Sequence, residues 1–161
     1  MKTVKGNLLD LADAGEFDII VHGCNCFNTM GAGIAREIKA RYPIAFSSDY
    51  GTTPGDINKL GTYTSAESFP NALPDKHVFR IINAYTQFRT ASQDNPDAFE
   101  YASFDVILRK LAYTYPIKRF GFPMIGMGLA GGNKDRIMKS LENFAAVIEI
   151  KGGTVTLVEF G

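Results

Sequence analysis

The sequence has no run of about 18 consecutive apolar residues, so nothing in it reads as a membrane span or a secretory signal, and a cytoplasmic location is the expectation. It has no excess of charge either, because 17 Lys and Arg are matched by 17 Asp and Glu. No overall field is therefore available to hold nucleic acid by counterion release, and such a role would need a local basic patch. Cysteine is scarce: Cys24 and Cys26 stand one residue apart, too close for an unstrained disulfide, and no neighbouring ligands complete a four-ligand zinc site. They read as small buried thiols, with a reactive thiol as the alternative, and no metal or cofactor is expected. No Gly-Lys-Ser or Gly-Lys-Thr occurs, which removes the Walker phosphate loop. The best approach to G-x-G-x-x-G starts at Gly31 and has Arg36 at the third glycine position. With no acid at a strand end about 20 residues further on, a nicotinamide-dependent oxidoreductase is disfavoured.

What is present is organised around Phe17 to Arg41, FDIIVHGCNCFNTMGAGIAREIKAR. Phe17 to Val21 is apolar and rich in β-branched residues, which predicts a buried strand. Gly31 to Arg41 predicts a helix, with Ile34 and Ile38 on one face and Pro43 as the stop. Strand, loop and helix N-terminus is a geometry with a use: the first helical N–H groups lack intrahelical partners and the macrodipole favours negative charge there. A phosphate suits that end.

The rest of the chain predicts a short strand at Thr3 to Lys5, a brief helix at Leu8 to Ala14, and a helical turn or two at Ile44 to Tyr50. Strands follow at Leu60 to Ser65 and His77 to Tyr85, joined by a Pro/Asn/Asp segment over 70–75. Asn95, Pro96 and Asp97 read as cap, first position and first-turn acid of a helix running to about Tyr115. A strand at Ile117 to Met124 leads into a second glycine-rich loop, then a helix capped by Asn133 and ended by Gly152, then a strand at Thr154 to Phe160. At 161 residues and 45% hydrophobic content this is one domain, residues 1–161. Alternating strands and helices imply a largely parallel sheet covered on both faces, with a ligand beyond the strands' carboxyl ends. Both glycine-rich loops follow strands and precede helices, so the two can clasp one diphosphate.

Missing Cβ atoms in Gly31-Ala32-Gly33-Ile34 let backbone N–H groups approach phosphate oxygens. Four glycines among Gly126 to Gly132 cost more chain entropy than a plain turn requires. His22, at the end of the apolar strand, is a candidate proton donor or acceptor near neutral pH, and Asn25 a candidate partner for sugar hydroxyls. His77 reads as exposed.

These residues together resemble the macrodomains, which bind ADP-ribose. IIVHGCN at 19–25 is similar to their I-V-N-x-x-N strand end, MGAGIAREI to their first phosphate loop, FPMIGMGLAGG to the second, and KGNLLDL to their K-G-D opening, in matching order over essentially the whole chain. The resemblance implies a three-layer α/β/α fold with a central mixed, largely parallel sheet and ADP-ribose across the strand ends. It implies Asn7 at the adenine amino group, Asn25 at the distal ribose, Gly31, Ala32, Gly33 and Ile34 with Gly126, Met127, Gly128, Leu129 and Ala130 at the diphosphate, and Phe160 packing on adenine. His22 replaces the first Asn of the strand-end motif, as in a branch that includes ADP-ribose 1''-phosphate phosphatases and ADP-ribosyl hydrolases. The Lys and Asp that some hydrolases of that branch use fall at Ala84 or Tyr85 and at Ala130. The implied activity is hydrolysis of ADP-ribose 1''-phosphate with His22 and Asn25 as catalytic residues. The alternatives are an ADP-ribosyl hydrolase acting on protein or nucleic acid and a non-catalytic reader. The expected partners are ADP-ribose or its 1''-phosphate and an ADP-ribosylated macromolecule, bound by a monomer.

Overall fold

A computed structural model describes residues 1–69, 76–128 and 130–160. Its elements in chain order are β1 (Lys2–Lys5), α1 (Leu8–Asp13), β2 (Ile19–Cys24), α2 (Gly33–Arg41), α3 (Pro43–Tyr50), β3 (Tyr63–Glu67), β4 (Arg80–Tyr85), α4 (Tyr101–Thr114), β5 (Arg119–Phe122), α5 (Lys134–Ile150) and β6 (Thr154–Glu159). The strands form one six-stranded sheet ordered β1-β6-β5-β2-β4-β3. Every neighbouring pair is parallel except β3 with β4, which run antiparallel with Thr64 opposite Asn83. The mixed, largely parallel sheet and its helical layers are those expected.

β2 is apolar almost throughout because helices cover both of its faces. Its alternate residues divide accordingly. Ile19 and Val21 join a core with Phe104, Ile107 and Leu111 of α4 and with Ile137, Leu141 and Phe144 of α5. Ile20 and Cys24 join a second core with Leu8, Leu9 and Ala12 of α1, Ile38 of α2 and Ala45 of α3. At the far end of the sheet Asp18 accepts from the Arg119 guanidinium at 2.9 Å, an ion pair that holds the Asp18 carboxyl below its ordinary value. Among the described residues no helix is long and apolar enough to cross a membrane.

Several boundaries differ from the sequence reading. α4 starts at Tyr101 after Glu100 and not at Pro96. The chain over 95–100 is instead irregular and tied to its neighbours: Phe99 bridges Gln87, the Ala98 amide donates to Ala130 O at 2.9 Å, and the Glu100 amide donates to Thr86 O at 2.7 Å. Those tertiary bonds outweigh a local cap worth about 1 kcal/mol. Pro43 does more than stop α2: it takes the first position of α3, with Tyr42 ending one helix and opening the next. α2 itself begins at Gly33, and β3 starts three residues and ends two residues later than read. Asn133 caps α5 as expected, accepting from the Arg136 amide at 3.1 Å. The connection over 70–75 lies outside the described residues.

Candidate functional site

A cleft of about 370 Å³ opens at the carboxyl ends of β2, β4 and β5. That volume is in the range of small-molecule sites. Its walls are the loop after β2 with the start of α2, the loop after β5, the residues that follow β4, and Asp49 from the last turn of α3.

The first loop is held open by side chains. Asn25 Oδ1 accepts from the Phe27 amide at 2.8 Å while its Nδ2 donates to Thr29 Oγ1 at 2.9 Å. Asn28, with φ of 60°, donates through Nδ2 to Thr52 O at 2.6 Å and accepts at Oδ1 from the Lys59 ammonium at 2.5 Å. Lys59, itself buried, also donates to Cys26 O at 3.1 Å. A loop clamped in this way delivers Gly31 to Ile34 to the cleft at the entrance of α2, where Ala32 supplies no side-chain cap. The first-turn N–H groups thus face the cleft with their partial positive charge.

The second loop is held by its own backbone. The Met127 amide donates to Met124 O at 3.2 Å, Gly131 to Gly128 O at 3.0 Å and Gly132 to Gly126 O at 2.7 Å. Gly126, Gly128 and Ala130 line the cleft. Met127 is part of the turn without lining it, and Leu129 lies outside the described residues.

Asn7 and Phe160 come just after the paired strands β1 and β6, on a different flank. β1 pairs β6 with Lys5 opposite Glu159, and the Gly6 amide donates to Glu159 O at 2.8 Å, so Phe160 falls opposite Gly6, one residue before Asn7. Neither lines the cleft. Asn7 caps α1, accepting from the Asp10 amide at 3.0 Å, and Phe160 is 82% exposed.

His22, expected to be catalytic, is not among the residues that line the cleft. The ring shares the parity of Ile20 and Cys24, faces the α1–α3 layer and has no exposed surface. Its Nε2 lies 2.6 Å from Asn83 Oδ1, and Asn83 Nδ2 in turn donates to Ala45 O and Thr64 Oγ1. With the amide oriented by those two acceptors, the proton of His22 sits on Nε2. Burial lowers its pKa to about 4, against a smaller opposing effect of the Asn83 bond. The ring is therefore neutral near pH 7 and lies behind the cleft wall. His77, read as exposed, is half-buried, with Nε2 2.7 Å from Phe17 O.

Asp49 is the group that the sequence reading missed. It is 1% exposed, and its Oδ1 accepts from the Tyr85 hydroxyl at 2.7 Å. Oδ2 has no hydrogen-bond partner among the described residues, and the same holds for Oγ1 of buried Thr86, which also lines the cleft. Burial raises the Asp49 carboxyl above its ordinary value, opposed by the Tyr85 bond and the Lys59 charge. The available signal was its place four residues after Ala45, which puts an acid on the inward face of α3. Among the described residues no three His, Cys, Asp or Glu side chains are grouped to hold a metal ion.

No family model matches the chain. It is 32% identical to the uncharacterized 17.5 kDa protein of the tk-vs intergenic region of Enterobacteria phage T4, over 93% of each. A segment of 47 residues is 36% identical to the ADP-ribose 1''-phosphate phosphatase of Aspergillus oryzae, covering 29% of this chain and 22% of that protein. The macrodomain of Thermus aquaticus DarG superposes with a TM-score of 0.68 at 18% identity, over 99% of this chain and 97% of the other. Thermosipho africanus DarTG in complex with ADP-ribose superposes with a TM-score of 0.64 at 14% identity, over all of this chain and 42% of the other. The chain therefore belongs to the family of the phage T4 protein, and its fold is that of the macrodomains.

Proposed function

We propose that this protein binds ADP-ribose in the cleft at the ends of β2, β4 and β5 and releases phosphate from ADP-ribose 1''-phosphate. The observation that carries the reading is the pair of glycine-rich loops lining one cleft, the first at an uncapped helix N-terminus, a pairing suited to a diphosphate. The ADP-ribose bound in the superposed Thermosipho structure supports the ligand, and the short segment shared with the Aspergillus phosphatase supports the reaction. In this reading Gly31 to Ile34 and Gly126 to Ala130 face the diphosphate, Asn25 the distal ribose, and Asn7 with Phe160 the adenine. His22 acts as a positioning residue that fixes Asn83 and the end of β2.

Calorimetric titration with ADP-ribose, followed by phosphate release from its 1''-phosphate in the same preparation, tests both halves. Binding with steady release is expected. The burial of His22 favours a second reading, a module that holds ADP-ribose without cleaving it, and binding without release would select it.

A further inference from the structure

The strand order places β1 and β6 on one side of the glycine loops and β4 on the other. Asn7 and Phe160 follow β1 and β6, the two loops follow β2 and β5, and Asp49 meets Tyr85 at the end of β4. A molecule lying across the strand ends with its diphosphate on the loops has its base near Asn7 and Phe160. Its far sugar then reaches Asp49 and Thr86.

Among the described residues, the cleft wall contains two titratable side chains, Cys24 and Asp49, and no Lys, Arg or His. Burial lifts the Cys24 thiol well above its ordinary value, so it stays protonated and inert. Asp49 is left as the group able to take a proton. The missing cations also bear on which bond breaks. Attack at phosphorus calls for positive groups around the transferring phosphoryl, whereas attack at the sugar's anomeric carbon develops positive charge on the sugar, which a carboxylate stabilises. Asp49 Oδ2 has no partner among the described residues, a costly state for a buried acceptor on a residue that lines the cleft.

Building on the ADP-ribose reading, we infer that Asp49 is the general base for hydrolysis at the anomeric carbon of the distal ribose. The water oxygen forms a bond to C1'' while Asp49 Oδ2 accepts one of its protons and Thr86 Oγ1 accepts a hydrogen bond from the other. The C1''–O bond to the phosphate breaks, and its electron pair leaves on that oxygen. Asp49 then passes its proton to the phosphate, which departs as hydrogen phosphate, and the ribose keeps a free 1''-hydroxyl. Tyr85 and Lys59 face the carboxyl and lower its pKa against the effect of burial, while Cys24 and Cys26 stand nearby as neutral thiols.

The test is turnover of ADP-ribose 1''-phosphate in ¹⁸O-water by the wild-type chain, Asp49→Asn and Tyr85→Phe, with ADP-ribose affinity and thermal melting measured on each. Asp49→Asn is expected to lower kcat by at least about 100-fold while ADP-ribose affinity stays within about threefold. The released phosphate is expected to be unlabelled. Tyr85→Phe removes the hydroxyl that favours the carboxylate, so the acid limb of its kcat profile is expected at higher pH than in the wild type. Wild-type kcat in Asp49→Asn, or an acid limb unmoved in Tyr85→Phe, overturns the role of Asp49. Labelled phosphate overturns attack at carbon. Wild-type chain that binds ADP-ribose yet releases no phosphate overturns the inference while leaving the binding site standing. Absence of ADP-ribose binding overturns the reading on which the inference rests.

Discussion

A methyl group added at Gly131 would overlap the Pro96 carbonyl oxygen, and one at Gly126 would come within 2.5 Å of the Phe99 ring. In the first loop, a methyl at Gly31 would meet nothing closer than Thr29 O at 3.9 Å. Gly128, inside the second loop, has nothing within 4 Å. The two loops thus keep backbone exposed to the same cleft by different means. The second is wedged: Gly126 and Gly131 take φ of 74° and 70°, which other residues resist, and Gly132 is pressed against Gly126 O. The first is tied by side chains, Asn25, Asn28 and Lys59, and its glycine at 31 faces open space. Gly126, Gly131 and Gly132 thus answer to packing, whereas Gly31 and Gly128 leave room for what approaches from the cleft.

That contrast can be broken most forcefully at Gly131. Gly131→Ala combines steric overlap with a left-handed backbone, and a loss of about 3 kcal/mol in urea unfolding is expected. Wild-type stability there would remove the wedge from the second loop. The strand beneath both loops makes the next test. His22 has a folded pKa of about 4 against an ordinary 6.5, so the native state binds fewer protons than the unfolded chain. Its contribution is complete above pH 6.5 and is lost as pH falls from there toward 4, about 3 kcal/mol in all. Urea midpoints at pH 7 and 4.5 measure the loss, and His22→Gln is expected to reduce it.

Lys59→Ala probes the ties of the first loop. It leaves buried acceptors on Asn28 and Cys26 without their ammonium, which costs about 2 kcal/mol, and ADP-ribose affinity is expected to fall with it. If stability falls and affinity holds, the clamp serves folding alone. The mildest changes are the most discriminating. Gly31→Ala and Gly128→Ala are expected to alter stability by no more than about 0.5 kcal/mol while weakening ADP-ribose binding, since only a ligand would meet the new methyl. Loss of stability in either would merge the two classes of glycine.

His22 and Asp49 make a parallel lesson in what can be read from a chain. His22 attracted attention because it ends an apolar strand, yet the parity that makes the strand buried also turns the ring under α3. Asp49 carried no motif, and it became a cleft residue only when α3 docked beside Tyr85 of β4.

The sequence by itself determined the order of strands and helices, the strand-to-helix placement of both glycine loops and the Asn133 cap. These are set by periodicity, backbone permissiveness and capping, interactions that reach at most a few residues along the chain. The tertiary structure alone decided that Pro96 would lie against Gly131 instead of opening a helix, that Asn83 would fix the His22 tautomer, and that Asp49 would join Thr86 at the cleft. Each of these depends on groups brought together across strands and loops, where burial and partner geometry outweigh local preference.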